Sequence, residues 1–121
     1  MIQTIERLAF NDLRAVEALV QCLWSDPSLH VQRVTLFGSK ARHDDTPESD
    51  IDLLVIVTDD RWSLKDQILT IGSRLSLEYD VLFNLVVVSR AHWAWMEQIR
   101  HPLCRAIAAE GIDLTSELVP A

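Results

Sequence analysis

Two aspartates that stand one residue apart, Asp50 and Asp52, are the side chains of this sequence best placed to do chemistry. They lie at the start of the apolar run "IDLLVIVT" (51–58), and carboxylates are costly at the mouth of a buried strand unless something pairs with them. Side chains alternate along a strand, so both should point to the same face. Two carboxylates on one face favour a shared Mg²⁺ or Mn²⁺ ion, because these cations prefer hard oxygen ligands.

The dipeptide Gly38-Ser39 follows the apolar stretch "VQRVTLF" (31–37), which has the β-branched and aromatic content of a strand. Glycine allows the backbone to approach a phosphate closely, and the following N–H groups and the Ser39 hydroxyl can bind its oxygens. If the two strands are neighbours, this cradle and the carboxylates converge, which is the layout for two-metal attack on a nucleotide α-phosphate. The simpler alternatives are a strand-terminating turn at 38–39 and a pair of solvated acids.

The order Gly38-Ser39, ten intervening residues and Asp50-Ile51-Asp52 resembles the GS-x10-DxD signature of the DNA polymerase β-like nucleotidyltransferases. More narrowly, "LFGSKAR" followed by "SDIDLLV" is similar to the minimal nucleotidyltransferase (MNT) family. The resemblance implies a small mixed sheet flanked by helices and a Mg²⁺- or Mn²⁺-dependent transfer of AMP from ATP. It also implies that the acceptor is a protein, a tyrosine of a cognate HEPN-domain ribonuclease toxin, and that the chain acts as the antitoxin.

The resemblance also assigns roles residue by residue. It places the metal ions on Asp50 and Asp52, and the nucleotide on Gly38, Ser39, Lys40 and Arg42. Judged by its residue type alone, Lys40 could equally well be a solvated surface residue that contacts no nucleotide. Arg42 matches an arginine that is more often structural or phosphate-facing than catalytic.

The sequence departs from the family pattern at two places. His43 stands where the family usually has glycine, and a left-handed backbone there would suit histidine only moderately. The superfamily also uses a third carboxylate on a later strand, as base and metal ligand, and the aligned position here is Leu82. Asp80 would share a face with Leu82 and Asn84, so we predict Asp80 as the third catalytic carboxylate and metal ligand.

The elements needed to position these residues can be predicted from periodicity. Helices are predicted at 2–24, with Asn11 as a cap inside that range, at 62–79, at 90–99 after a Ser89 N-cap, and at 103–111, ended by Gly111. Strands are predicted at 31–37, 51–58 and 81–89. This alternation indicates one α/β domain over residues 1–121 with a small mixed sheet.

The composition of the chain excludes several classes of protein. A net charge of −7 in 121 residues argues against direct binding to DNA, which requires clustered Lys and Arg. Cys22 and Cys104 share no metal-ligand spacing and read as buried thiols in a reducing compartment rather than a disulfide. The N-terminal segment, with Glu6 and Arg7, is not a signal peptide, and no apolar run is long enough for a membrane span. A cytoplasmic protein without a membrane partner is expected.

The sequence is compatible with three functions. The first is an ATP-dependent protein adenylyltransferase whose acceptor is supplied by a partner chain, and the second is a weakened module that neutralises its partner by binding alone. The third, transfer to a small molecule such as an aminoglycoside, usually needs an additional helical domain. Trp93 and Trp95 cannot face the same way on a helix, so one of them could be an exposed anchor for a partner. The oligomeric state, homo- or hetero-oligomer, is left open.

Overall fold

A computed structural model of the chain describes residues 8–46, 48–59 and 61–115. The helices in these residues are α1 (Phe10–Trp24), α2 (Ser39–Arg42), α3 (Trp62–Tyr79), α4 (Arg90–Gln98) and α5 (Pro102–Glu110). The strands are β1 (Val31–Phe37), β2 (Ile51–Val57), β3 (Phe83–Ser89) and β4 (Ile112–Asp113). A 3₁₀ turn, Pro27–Leu29, joins α1 to β1.

The four strands form one mixed sheet in the order β3-β2-β1-β4. β1 is antiparallel to both β2 and β4, whereas β3 is parallel to β2. The parallel pair is joined through α3, the helical crossover that such a pair requires. The register places Phe37 opposite Asp52 and Asp52 opposite Asn84, so the end of β1 and the starts of β2 and β3 meet at one edge of the sheet. The expected mixed α/β fold is confirmed.

Helices cover both faces of the sheet, which explains why β2 is apolar almost throughout. Leu53 and Val55 belong to the cluster that includes residues of α1 and α3, whereas Leu54 and Ile56 belong to the cluster that includes residues of α4 and α5. Full burial of one such side chain stabilises a fold by roughly 1.5–3 kcal/mol. Alternate residues of a strand share a face, so the side chain of Asp52 lies on the α4/α5 face together with those of Leu54 and Ile56.

Several predicted boundaries needed correction. Asn11 does not cap a helix, because α1 already begins at Phe10 and the Asn11 amide donates to the Tyr79 carbonyl oxygen at 2.7 Å. Residues 2–7 of the predicted helix lie outside the described residues. β3 begins at Phe83 rather than at residue 81, and β4 had no signal in the sequence.

Two predictions about α4 are confirmed. The Ser89 hydroxyl caps α4 by accepting a hydrogen bond from the His92 N–H at 3.0 Å. Trp93 is buried while Trp95 is exposed. Cys22 and Cys104 are both free thiols, but only Cys104 is buried as predicted, because Cys22 is half-buried. In the part of the chain that the structure describes, no helix combines the length and apolarity of a membrane span.

Candidate functional site

Gly38 connects the end of β1 to α2 in a backbone conformation that other residues adopt poorly. Its φ of +79° with ψ of −160° lies where a side chain is strained. A Cβ atom here would also clash with the Asp52 Oδ2 atom and would lie 3.0 Å from Asp52 Cγ. Glycine is therefore required because the Asp52 carboxylate occupies the space in which a side chain would stand.

Asp52 is the carboxylate that the fold holds most firmly at this edge. It is half-buried, and its Oδ1 atom accepts a hydrogen bond from Asn84 Nδ2 at 2.8 Å across the β2–β3 pair. Asp50 stands one residue before β2 and is exposed. The structure thus places Asp52 in direct contact with the Gly38 turn, and Asp50 stands two residues before Asp52 along the chain.

The short helix α2 carries the other predicted nucleotide contacts. Ser39 is its first residue, and the first N–H groups of a helix have no intrahelical acceptor. His43, which follows α2, has φ of +65° and ψ of +26°, so the left-handed backbone anticipated at this position is present. The hydroxyl of Ser39 makes no hydrogen bond to another described residue, and it remains available to a ligand.

Lys40, by contrast, is buried and bound to acceptors within the chain. Its side chain is only 2% exposed, and its Nζ atom donates to Asp12 Oδ2 at 2.7 Å and to the Thr46 carbonyl oxygen at 3.3 Å. Asp45 Oδ2 lies 3.0 Å from the same nitrogen. An ammonium has three protons, so these three acceptors leave none for a phosphate in this conformation. Lys40 ties the loop after α2 to α1.

The protonation of this cluster follows from its contacts. Burial by itself would lower the pKa of Lys40, but the hydrogen bonds to Asp12 and Asp45 outweigh it, and the pKa of the ammonium is raised. The hydrogen bond from Lys40 lowers the pKa of Asp45 against the smaller opposing effect of burial. The charged pair is therefore the stable form across the neutral range.

We expect this pair to make stability depend on pH at both extremes. Asp45 has a depressed folded pKa, so its contribution is present above the unfolded value of about 3.9 and is lost as the pH falls through the folded pKa. Lys40 has a raised folded pKa, so its contribution is present below about 10.4 and is lost as the pH rises through the folded pKa. Urea unfolding of the wild type and of Asp45→Asn measures this. Their difference in free energy of unfolding should be constant from pH 5 to pH 9, within about 0.5 kcal/mol, and shrink below about pH 4. A difference that grows on acidification would contradict the assignment.

Arg42 forms a second polar cluster, on the β1 side of the turn. Its Nη1 atom donates to Glu110 Oε2 at 2.9 Å and its Nε atom to Asp44 Oδ2 at 3.0 Å. The same Glu110 oxygen accepts the Gly38 N–H at 2.6 Å. Glu110 therefore holds the start of α2 in place from α5, and in this state it occupies the N–H of Gly38.

The structure does not place Asp80 where the sequence analysis put it. Asp80 is the C-cap of α3, with φ of +56° and ψ of +50°, and it precedes β3, so the alternation of a strand does not extend to it. The residue beside Asp52 is Asn84. Within residues 8–46, 48–59 and 61–115, no group of three His, Cys, Asp or Glu side chains is arranged to hold a metal ion. The prediction that Asp80 lies on the strand face of Asn84 is wrong.

Two residues of the site gave little signal in the sequence. Glu110 is 72 residues from Gly38 along the chain, and only the packing of α5 beside β1 brings them together. Asn84 was expected on the same face as Leu82, but its bond to Asp52 depends on the parallel register of β2 and β3. Arg42, at the end of α2, gave no signal for Glu110, because an exposed arginine can be solvated by water.

The donor set at this edge fits a divalent cation that is also held by a ligand. Two carboxylates, one of them fixed by Asn84, provide hard oxygen atoms. Mg²⁺ is commonly bound by one or two carboxylates together with substrate phosphates and water. Arg42 offsets part of the charge of Asp44 and Glu110, but Asp50 and Asp52 keep this edge acidic, so a triphosphate would approach it with cations to screen it.

The comparisons with known proteins agree with this arrangement. The family model described as "Polymerase beta, Nucleotidyltransferase" matches residues 19–115, which include the Gly38 turn and all three long strands. The protein MJ0604 of Methanocaldococcus jannaschii, named as a candidate protein adenylyltransferase, is 35% identical over 79 residues. The match covers 65% of this chain and 75% of that relative.

Two solved structures have a similar fold. A mutant form of the toxin–antitoxin MntA–HpeT gives a TM-score of 0.55 at 22% identity, with 82% of this chain and 70% of that chain covered. A toxin–antitoxin with AMP-PNP gives a TM-score of 0.51 at 22% identity, with 81% of this chain and 71% of that chain covered. At this level of identity, the likeness concerns the fold.

Proposed function

Because this chain belongs to the polymerase β nucleotidyltransferase family, we propose that it transfers AMP from ATP to a hydroxyl group of a partner protein in a Mg²⁺-dependent reaction. The observation that carries the proposal is the contact between the Gly38 turn and the Asp52 carboxylate, which puts a phosphate-binding backbone beside metal-binding oxygens. The name of the relative MJ0604 supports a protein as the acceptor.

In this proposal, Asp50 and Asp52 hold the metal with the nucleotide phosphates. A bound Mg²⁺ supplies charge stabilisation to the α-phosphate and to the departing oxygen. Ser39 contributes its hydroxyl and first-turn N–H groups to the phosphates, and Gly38 allows their close approach. Arg42 is half-exposed beside the turn, so it could exchange Glu110 or Asp44 for a phosphate, whereas Lys40 positions the loop.

The chemical step forms one bond and breaks one. The hydroxyl oxygen of the acceptor attacks the α-phosphorus of ATP, and the bond to the β-phosphate bridging oxygen breaks, so pyrophosphate leaves. The hydroxyl proton passes to solvent water. Asn84 stands beside Asp52, and an amide cannot take that proton at neutral pH. The residues of this chain therefore contribute by binding the nucleotide, by orienting its phosphates and by holding negative charge at the metal site.

We further propose that the acceptor is a tyrosine of a HEPN-domain ribonuclease and that the chain is the antitoxin of that pair. The MNT signature in "LFGSKAR" and "SDIDLLV" supports this, as does the similar fold of toxin–antitoxin structures, one of them with AMP-PNP. With ATP as the proposed donor, we propose that the reaction takes place in the cytoplasm.

A specific observation favours a second function, neutralisation by binding alone. Neither Asn84 nor Leu82 provides the third carboxylate of the superfamily, and Asp80 lies outside the strand. A site without that acid would bind nucleotide and partner but turn over slowly.

One experiment separates the two. The protein is incubated with Mg-ATP and its proposed HEPN-domain partner, and the partner is then weighed by intact-protein mass spectrometry. The proposed reaction adds one AMP per modified hydroxyl and suppresses the ribonuclease. If the ribonuclease is neutralised with no AMP adduct, the second function is correct and the enzymatic proposal fails.

A further inference from the structure

The last residue of α5, Glu110, lies against the Gly38 turn, although its own helix gains nothing from an acid at that position. The C-terminal end of a helix carries partial negative charge, so a carboxylate in the last turn is unfavourable there. The same carboxylate adds to the negative charge that Asp50 and Asp52 give this edge of the sheet. The placement of Glu110 is therefore explained by its contacts with the turn and not by its helix.

A single oxygen atom of Glu110 makes both contacts with the turn. Its Oε2 atom accepts the Gly38 N–H at 2.6 Å and an N–H of Arg42 Nη1 at 2.9 Å. The side chain of Glu110 is 18% exposed, so water has limited access to these hydrogen bonds. An anionic oxygen that accepts from a backbone N–H and from a guanidinium is also the arrangement in which proteins bind a phosphate oxygen.

The nucleotide of the proposed function approaches the same two donors. Its phosphates lie along the backbone at Gly38 and next to Arg42 in that proposal. One N–H donates a well-aligned hydrogen bond to one oxygen, so a phosphate oxygen and Glu110 Oε2 compete for the Gly38 N–H. A phosphate that stayed beside Glu110 would also be repelled by the carboxylate. The carboxylate has to move away when a phosphate binds there.

We propose that Glu110 is an internal competitor of the nucleotide, whose phosphate displaces the Glu110 carboxylate from the Gly38 N–H and from Arg42. This inference rests on the proposed function and names a residue that sets its affinity for Mg-ATP. Glu110 keeps the two donors in place for a phosphate, and the cost of its displacement weakens nucleotide binding. A residue that only braced the turn would have the opposite effect, because its loss would disturb the turn and weaken binding.

The variant Glu110→Gln tests this role through the sign of its effect. Glutamine keeps the length of the side chain, and its amide oxygen can accept the Gly38 N–H, but without a negative charge it binds Arg42 less strongly. Calorimetry without a partner protein should give a Kd for Mg-ATP about tenfold lower than that of the wild type. Magnesium tripolyphosphate, which has neither base nor sugar, should show the same gain. An unchanged or higher Kd for either ligand overturns the inference.

Asp44→Asn is the matched control, because Asp44 pairs with the same guanidinium but accepts no hydrogen bond from Gly38. Its Oδ2 atom accepts from Arg42 Nε at 3.0 Å, so each variant removes one negative charge from beside Arg42. Asp44→Asn should leave the Kd for Mg-ATP within about twofold of the wild type, as expected for an exposed pair. An equal gain in both variants would show that charge alone sets the affinity, and it would overturn the competition for the Gly38 N–H.

A spectroscopic measurement follows the displacement directly. Phe37-Gly38 is the single Phe-Gly pair of the chain, so ¹³C-carbonyl phenylalanine combined with ¹⁵N-glycine identifies the Gly38 amide signal. Without nucleotide, this signal should differ between the wild type and Glu110→Gln, because the N–H donates to a carboxylate in one and to an amide in the other. At saturating Mg-ATP the two signals should coincide, because a phosphate oxygen has replaced either side chain. A difference that persists at saturation shows that Glu110 still holds Gly38, and it overturns the inference.

The outcomes separate this inference from the proposed function. An AMP adduct on the partner protein, with equal Kd values in the wild type and Glu110→Gln, overturns the inference and leaves the function intact. A lower Kd in Glu110→Gln with coinciding Gly38 signals, but without any adduct, supports the inference and removes the enzymatic function. If neither protein binds Mg-ATP, both fail.

Discussion

Asp52→Asn is expected to lower the rate of AMP transfer on the order of 10²- to 10³-fold, the usual loss when one preorganised electrostatic group is removed from a site. Asparagine has the size of aspartate, and its oxygen can still accept the hydrogen bond that Asn84 donates to Asp52. The contact with Gly38 is also kept, because the side chain fills the same space. The change therefore removes a negative charge from the metal-binding pair with little effect on the fold.

Single-turnover transfer to the HEPN-domain protein measures this loss, with Asp59→Asn as the control. Asp59 stands near the opposite end of β2 and pairs with Arg61 at 2.8 Å, so its substitution should leave transfer within about twofold of the wild type. Thermal unfolding should show similar midpoints for both variants. Transfer by Asp52→Asn at the wild-type rate would show that the metal-binding pair is not at this edge.

Lys40→Met is expected to lower the free energy of unfolding by about 3–5 kcal/mol, the usual cost of removing one partner from a buried ion pair. Methionine fills most of the space of the lysine stem but leaves the Asp12 carboxylate, whose side chain is only 12% exposed, without its cation. The loop that carries Asp45 and Thr46 also loses its attachment to α1.

Urea unfolding measures this change, and Lys65→Met on the exposed face of α3 is the control, expected within about 0.5 kcal/mol of the wild type. Mg-ATP affinity should be measured in the same variants. If Lys40→Met unfolds like the wild type but binds Mg-ATP much more weakly, Lys40 contacts the nucleotide, as the family resemblance implied, and its structural role is wrong.

The local elements could be predicted because local physics decides them. The β-branched run of β1 and the continuous apolar run of β2 carry their own signal, and α3 shows its buried side, with Leu64, Ile68 and Leu75, every three or four residues. The two-residue strand β4 carried none, because it forms only by pairing with Thr35 and Leu36 in β1. Asp80 was misplaced for a related reason: whether a strand starts at residue 81 or 83 is decided by its pairing with β2.

What the sequence by itself determined is the motif, namely a glycine-serine turn after one strand and two aspartates at the start of the next. Those features are local, since each depends on residue type and short spacing. The tertiary structure alone decided which groups surround them. It turned Lys40 inward to Asp12 and brought Glu110 to the Gly38 N–H, and it put Asn84 rather than a carboxylate beside Asp52. These partners are 28, 72 and 32 residues apart, and no spacing rule spans such separations, because packing and strand register set the contacts.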